Sequence, residues 1–365
     1  MLIHSCGIQN AASQRGEIPS TRNELMTMTA THAQVTPERI LQMAWGYVPP
    51  LVLEAAIRHR VFDVLDGGAM TVDEVARVTG ASVRGLTAIM NALVGLEYLS
   101  KDAESRYALT PESAAFLVST RPSFQGGLIR HCSEHLIPRW LHLNEVVATG
   151  DPVSAVNEEK SGGEFFHDFV LDIFPMSYPA AQFLAHERNF GTSGSPVRVL
   201  DLAAGSGVWG IALAQSSPRV QVTAVDWPEV LPVTRKTVAR FGLAERFSFV
   251  EGDLHDADFG SGYQLATLGH ILHSEGEAQS RNLLAKTFAA LASGGTIAIA
   301  EFLVNRDRTG PLTGLFFAVN MLVNTRNGNT WSVEEIGEWL QETGFVNVRT
   351  IPSPGHSPLL LATKG

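Results

Sequence analysis

Val197-Arg-Val-Leu-Asp-Leu-Ala-Ala-Gly-Ser-Gly-Val-Trp-Gly210 reads as a buried strand, a turn of small residues and the start of a helix. Gly205, Gly207 and Gly210 fit G-x-G-x-x-G, whose glycines allow a tight turn and a close approach of backbone to ligand. The motif by itself is weak. Downstream the apolar pattern alternates between the two periods, with strands expected near 197–202, 220–225, 246–251, 263–269, 295–301, 346–351 and 358–363. Helices are expected near 207–215, 228–241, 275–292, 311–324 and 332–344. Such alternation predicts an α/β domain with a parallel sheet covered on both faces. The turn Ser353-Pro-Gly-His-Ser357 joins the last two strands, so the final one should run antiparallel.

Upstream the organisation differs. The polar stretch His186 to Pro196 is the best linker in the chain, and residues 112–190 read as helical, with His131, His135, Trp140, Phe165, Phe166, Phe174 and Met176 among them. Thr71-Val-Asp-Glu74 is a capping box, Ser82 caps a second helix reaching Leu99, and residues 100–111 form a short hairpin, a winged-helix outline. A DNA-reading second helix displays Arg, Lys, Asn or Gln. Here it holds only Arg84 and Asn91 amid Ile89, Met90, Leu93, Val94 and Leu96, a face made for burial. Thr36-Pro37-Glu38 opens an apolar helical run from Ile40 to about Leu65, expected to be buried between subunits or domains. The expected division is a disordered extension (1–35), a winged-helix-like domain (36–120), a helical linker region (121–190) and a ligand-binding domain (191–365).

Composition narrows the function. The chain has 365 residues, 45% of them apolar and 18% charged, enough for a sizeable core. A formal charge of −10 disfavours binding of nucleic acid or anionic membrane through bulk charge. Cys6 and Cys132 are too few for a disulfide framework or a Cys-rich zinc site, so a reducing, cytoplasmic setting and no metal are expected. No uninterrupted apolar run approaches the ~20 residues of a membrane helix, and the first 34 residues lack signal-peptide features. Met26 or Met28 is an alternative start.

Three acids follow successive strands. Asp201 ends the first, where a carboxylate suits an amino-acid ammonium better than a pyrophosphate. Asp226 ends the second, where it can accept both ribose hydroxyls, and Trp227 beside it offers a face to an adenine. Asp253 follows the third, within reach of an adenine amino group. Each acid also fits a helix N-cap or an exposed turn.

Taken together, VLDLAAGSG (199–207), VDWPEVL (225–231), VEGDL (250–254), LGHILH (268–273) and the C-terminal GF…V hairpin resemble the S-adenosylmethionine-dependent O-methyltransferases of the caffeate and acetylserotonin type. LQMAWGYV (41–48) and the winged segment are similar to that family's dimerisation domain. The resemblance spans roughly residues 36 to 364. It implies a Rossmann-like class I methyltransferase sheet with an antiparallel last strand, preceded by a mainly helical dimerisation domain in a homodimer. It also implies S-adenosylmethionine held by Asp201, Ala203, Gly205, Gly207, Asp226, Trp227, Asp253 and Leu254.

Methyl transfer to a hydroxyl needs an oxygen freed of its proton, and a phenol titrates near ~10. A positioned histidine taking that proton gains ~10²–10⁴ in rate. His270 and His273 both end strand four and compete for the role. By resemblance His273 is the base, His270 falls where a pocket-lining aromatic sits, and Glu301, ending the adjacent strand, is the acid that orients the imidazole. Several positions depart from the family pattern: Ser274-Glu275 replace the usual Asp-Trp, Thr330 replaces a second acid, Gly269 replaces a lysine, and Ala203 and Ala204 replace loop glycines. His273 should therefore rely on Glu301 alone or recruit Glu275. Phe174, Met176, Phe317, Asn320 and Met321 match acceptor-lining positions, although Met and Phe at helical spacing are more often core. The reading is an O-methyltransferase acting on an aromatic or polyketide-like hydroxyl. The alternatives are a winged-helix regulatory protein, an NAD-dependent dehydrogenase on the same glycine motif, and a family fold redirected to a non-methylating reaction.

Overall fold

The computed structural model describes residues 35–355 and 357–365. The predicted extension, apart from its last residue, and the alternative starts Met26 and Met28 lie outside the described residues. Two compact units meet at Gly46/Tyr47. The described part of the first is one short helix, Glu38–Ala44, with Ile40, Leu41 and Met43 exposed.

The helical run expected from Ile40 to about Leu65 is not continuous. The run is broken into Glu38–Ala44, Val48–Arg58 and Val61–Leu65, the last break falling where Arg60 is left-handed (φ 57°). Glu38–Arg58 nevertheless reaches the length and apolarity of a membrane-crossing segment, which an uninterrupted-run criterion overlooks because Glu54 and the terminal charges punctuate it. Leu53, Ala56, Phe62 and Leu65 pack with Val75, Leu86, Met90 and Leu93 into one core. The capping box closes as written: Glu74 N–H donates to the Thr71 hydroxyl, and Thr71 N–H to the Glu74 carboxylate at 2.7 Å. Strands β1 (Met70–Thr71), β2 (Leu99–Lys101) and β3 (Arg106–Leu109) form the wing, in the order β1-β3-β2. The Tyr107 hydroxyl on β3 donates to Asn91 Oδ1 at 2.8 Å, so one of the two polar residues on helix Val83–Gly95 is held by the wing.

Helices from Gly126 to Arg188 lead into seven strands: β4 (Val197–Leu202), β5 (Val220–Asp226), β6 (Phe247–Glu251), β7 (Tyr263–Gly269), β8 (Leu291–Ala300), β9 (Phe345–Ile351) and β10 (Leu359–Lys364). Their order is β6-β5-β4-β7-β8-β10-β9. The first five are parallel, and β10 runs antiparallel to both β8 and β9. β4, β7 and β10 are buried on both faces, which is why their sequences read as nearly continuous apolar runs. Strand order reverses between β4 and β7, and ligands of open α/β sheets bind at the carboxyl ends flanking such a switch.

Helix Val208–Ser216, which follows the glycine turn, lies close against the sheet because Gly210 has no side chain. A Cβ there would stand 2.8 Å from Val222 Cγ1 and 3.0 Å from Asp201 Oδ2. Gly210→Ala should therefore lower the urea denaturation free energy by the ~1–3 kcal/mol that overpacking costs. An unchanged midpoint would show that this helix can shift outward freely.

Candidate active site

At the carboxyl ends of the parallel strands β4 to β7 opens a solvent-accessible cavity. Ala203 and Gly205 line it from the turn after β4, Asp226 and Trp227 from β5, Asp253 to His255 from β6, and His270, Ile271 and His273 to Glu275 from β7. Its outer wall is Val156, Asn157, Phe166, Val170 and Ile173. Phe166 and Val170 sit four residues apart on helix Glu159–Asp172, one stripe facing inward. That wall was not among the expected site residues, since an aromatic stripe on a helix carries no signal separating pocket from core.

The turn after β4 is a cradle that side chains would fill. Gly205 is left-handed (φ 55°), and a Cβ on it would lie 3.3 Å from Val170 Cγ1. Ala203 holds a left-handed φ of 50°, which a glycine would adopt without cost. Asp226 locks the turn: its carboxylate accepts Gly205 N–H at 2.7 Å and Trp227 N–H at 2.8 Å. One predicted cofactor contact is corrected. Asp201 is fully buried, and both its oxygens are engaged, by Gly210 N–H (3.0 Å) and by the Thr267 hydroxyl (2.7 Å). It ties helix to sheet and does not line the cavity. Gly207 caps helix Val208–Ser216 with φ 77°, and a Cβ on it would lie 3.1 Å from Thr234 Cγ2.

Burial pushes the Asp201 carboxyl up to about 7, against its two hydrogen bonds, and pushes Asp226 up to about 6. Asp253 accepts the Trp227 indole N–H at 3.2 Å and His255 N–H at 2.8 Å, while Leu254 is buried in the cavity wall. His255 Nε2 lies 2.6 Å from Glu275 Oε2, and this partner raises the imidazole above its ordinary range.

At β7 and β8 the register sets Gly269 opposite Ala300, so the next residues, His270 and Glu301, leave the sheet side by side. A Cβ on Gly269 would collide with the Trp209 indole, which gives a packing reason for glycine at this position. His273 Nδ1 is 2.8 Å from Glu301 Oε2, and His273 N–H donates to Oε1 at 3.3 Å. The pair is secluded, with side-chain exposures of 12% and 2%. Burial raises the Glu301 carboxyl, but the charge and hydrogen bond of His273 and the charge of His270 outweigh it and hold the group below the ordinary carboxylate range. Gly276 breaks the helix one turn after the histidine (φ 74°), and Asn329 N–H fixes the His273 carbonyl at 2.8 Å. Recruitment of Glu275 is corrected: that carboxylate belongs to His255, and Thr330 is buried with no hydroxyl partner among the described residues. Ligand-type atoms of His270, His273 and Glu301 lie within 4.8 Å of one another, close enough to share a cation.

The expected acceptor residues divide. Phe317 meets the His273 ring edge-on at 4.8 Å and stacks on Phe302 at 3.8 Å. Met176 borders a smaller pocket with His270 and Glu301. Asn320 accepts the Trp140 indole N–H at 3.1 Å. Phe174 is corrected to packing: its ring stacks on Tyr178 (5.1 Å) and Phe241 (5.6 Å). Met321 is 5% exposed and belongs to the interior of its helix.

Comparison with known proteins decides the family. The O-methyltransferase dimerisation domain matches residues 41–119, and the O-methyltransferase domain matches residues 193–346. Over 334 residues the chain is 30% identical to the 3-hydroxy-5-methyl-1-naphthoate 3-O-methyltransferase of Streptomyces sahachiroi, spanning 90% of this chain and 95% of that one. The chain belongs to the O-methyltransferase family. It is also 26% identical to the tetracenomycin polyketide synthesis 8-O-methyl transferase TcmO of Streptomyces glaucescens, over 90% of this chain and 97% of the other. The crystal structure of human N-acetylserotonin methyltransferase in complex with SAM superposes with a TM-score of 0.80 at 23% identity, over 92% of this chain and 99% of that one, and shares the fold. The protein is an S-adenosylmethionine-dependent O-methyltransferase of class I fold, acting on hydroxyls of small molecules.

The two raised carboxyls give the free enzyme a distinctive pH dependence. Each keeps its proton in the folded state where the unfolded chain, titrating near 3.8, has lost it. Their contribution to stability is complete below about pH 4 and is lost as pH rises through about 6 to 7. Denaturation of the cofactor-free protein should become easier across that window, with Asp201 supplying roughly 4 kcal/mol of the change at most. Asp201→Asn, whose amide can face Thr267 while its carbonyl keeps Gly210 N–H, should flatten the profile. A variant profile parallel to the parent's would contradict the protonated state.

Proposed function

We propose that the acceptor is an aromatic or polyketide-like small molecule and that His273 is its general base, oriented by Glu301. One observation carries this reading: the 2.8 Å contact between His273 Nδ1 and Glu301 Oε2, at the end of β7 and against the cavity. With Nδ1–H donating to the carboxylate, Nε2 is left with its lone pair, the tautomer a base requires. The names of the naphthoate and tetracenomycin relatives, and the Phe302–Phe317 stack beside His273, support a flat acceptor.

When bound, S-adenosylmethionine supplies a methyl carbon made electrophilic by its sulfonium. The cradle of Ala203 and Gly205 and the carboxylate of Asp226 would hold its nucleoside half, and Trp227 and Asp253, which line the same cavity, would take its adenine. His273 would hold the acceptor hydroxyl and take its proton at Nε2 as that oxygen accepts the methyl group. Glu301 would steady the imidazolium without itself taking the proton, and Phe166, Val170 and Ile173 give the cavity an apolar wall. Residues 36–120 serve as the dimerisation part of a cytoplasmic homodimer, 121–190 contribute to the acceptor pocket, and 191–365 bind the methyl donor. The dimerisation-domain match and the exposed Ile40, Leu41 and Met43 support that assignment. The winged segment fits burial better than DNA, since Leu86, Met90 and Leu93 face its core and Asn91 is held by Tyr107.

His273→Ala should reduce turnover by ~10²–10⁴ while calorimetry finds cofactor affinity nearly unchanged. Near-parental turnover would remove His273 from the chemistry. Asp226→Ala should weaken cofactor binding by ~10–100-fold, the value of hydrogen bonds to a charged group, and unaltered affinity would sink the ribose contact.

A further inference from the structure

A second polar centre lies on the same helix as Phe317. Helix Leu312–Asn324 brings Phe317 to His273 and, seven residues along the same stripe, carries Asn324, roughly 10 Å further on. Asn324 Oδ1 accepts Arg139 Nη1 at 2.9 Å, and Asn324 Nδ2 donates to Asn320 Oδ1, which also takes the Trp140 indole N–H. The guanidinium lies over the Phe165 ring, 5.0 Å from its centroid, and Phe165 packs edge-on against Phe166 of the cavity wall.

The Arg139 side chain is half-buried, and among the described residues no carboxylate pairs with it. Among the described residues its charged or titratable neighbours are His135 and His131, and the buried His131, stacked on Phe169 at 3.8 Å, has no partner for Nε2. Burial alone lowers the guanidinium from its ordinary value, and burial together with those cations pushes His131 down to about 3. A desolvated cation without a counter-ion is costly, and sites of this kind are sustained where an anion completes them.

We propose that Arg139 is the acceptor-anion subsite, pairing with a carboxylate on an aromatic acceptor whose reacting hydroxyl lies at His273. The inference rests on the aromatic-acceptor reading above and adds the acceptor's charge. Asn324 occupies one guanidinium N–H, which leaves the others for a bidentate grip on two carboxylate oxygens. Neutral His131 can add a donor from Nε2. Asn320 and Trp140 are positioning residues that hold the Asn324 amide.

The test is calorimetric binding to the full-length protein saturated with S-adenosylhomocysteine, using a hydroxynaphthoic acid and the naphthol that lacks only its carboxylate. The parent should bind the acid ~10–100-fold more tightly than the naphthol. Arg139→Met should erase that preference and leave the naphthol within about threefold; Arg139→Lys should keep part of it. Unchanged S-adenosylhomocysteine affinity certifies the fold of each variant, and if Arg139→Met fails that control the lysine variant and the parent's own preference decide. Equal binding of the two compounds by the parent, or a preference that survives at position 139, would overturn the subsite and leave the aromatic reading standing. Binding of neither compound would overturn both.

Discussion

The parallel pairing of β7 with β8 is the constraint on which the chemistry depends. It sets Gly269 against Ala300, so the chain leaves the sheet with His270 beside Glu301 and reaches His273 one turn later. Hydrogen bonds then fix the histidine from three sides: Glu301 holds its ring and its backbone N–H, and Asn329 holds its carbonyl. Gly276, left-handed and tight against Asn327, stops the turn from running into the following helix. A side chain fixed this way needs little reorganisation before reaction.

The glycine-turn half of the cavity rests on a different lock. Asp226 ties the glycine turn to the end of β5, and Asp201, one strand over, ties the following helix to β7 through Thr267. Two carboxyls at adjacent strand ends thus have separate tasks, one facing the ligand space and one closed inside the sheet. Their raised titration follows from that burial, and it makes the loop sensitive to charge before any ligand arrives.

Much of this was legible in the sequence. The strand–turn–helix of 197–210, the alternation after it and the SPGHS turn gave the sheet and its antiparallel end, because period and turn chemistry are local properties. His273 and Glu301 could be paired because adjacency of strands four and five follows from topology. Asp201 misled for a physical reason: its place in the motif resembles that of a ligand contact, but whether its oxygens face solvent or Thr267 is set by a strand 66 residues away. The same holds for Glu275, whose partner His255 lies 20 residues upstream on another strand end. Phe174 and Met321 show the limit of apolar patterning, which cannot tell a pocket wall from a core. Arg139 left no trace in composition or spacing; its contacts with Asn324 and Phe165 are made by elements far apart in the chain or on another helix.

The account stands on where the acceptor oxygen sits. A crystal structure of the protein with S-adenosylhomocysteine and a bound phenolic acceptor measures that directly. The hydroxyl oxygen should lie within ~2.6–3.2 Å of His273 Nε2, on the line to the sulfur, with Glu301 still on Nδ1. An acceptor whose oxygens all face away from that nitrogen, or an imidazole turned off Glu301 in the complex, would contradict it.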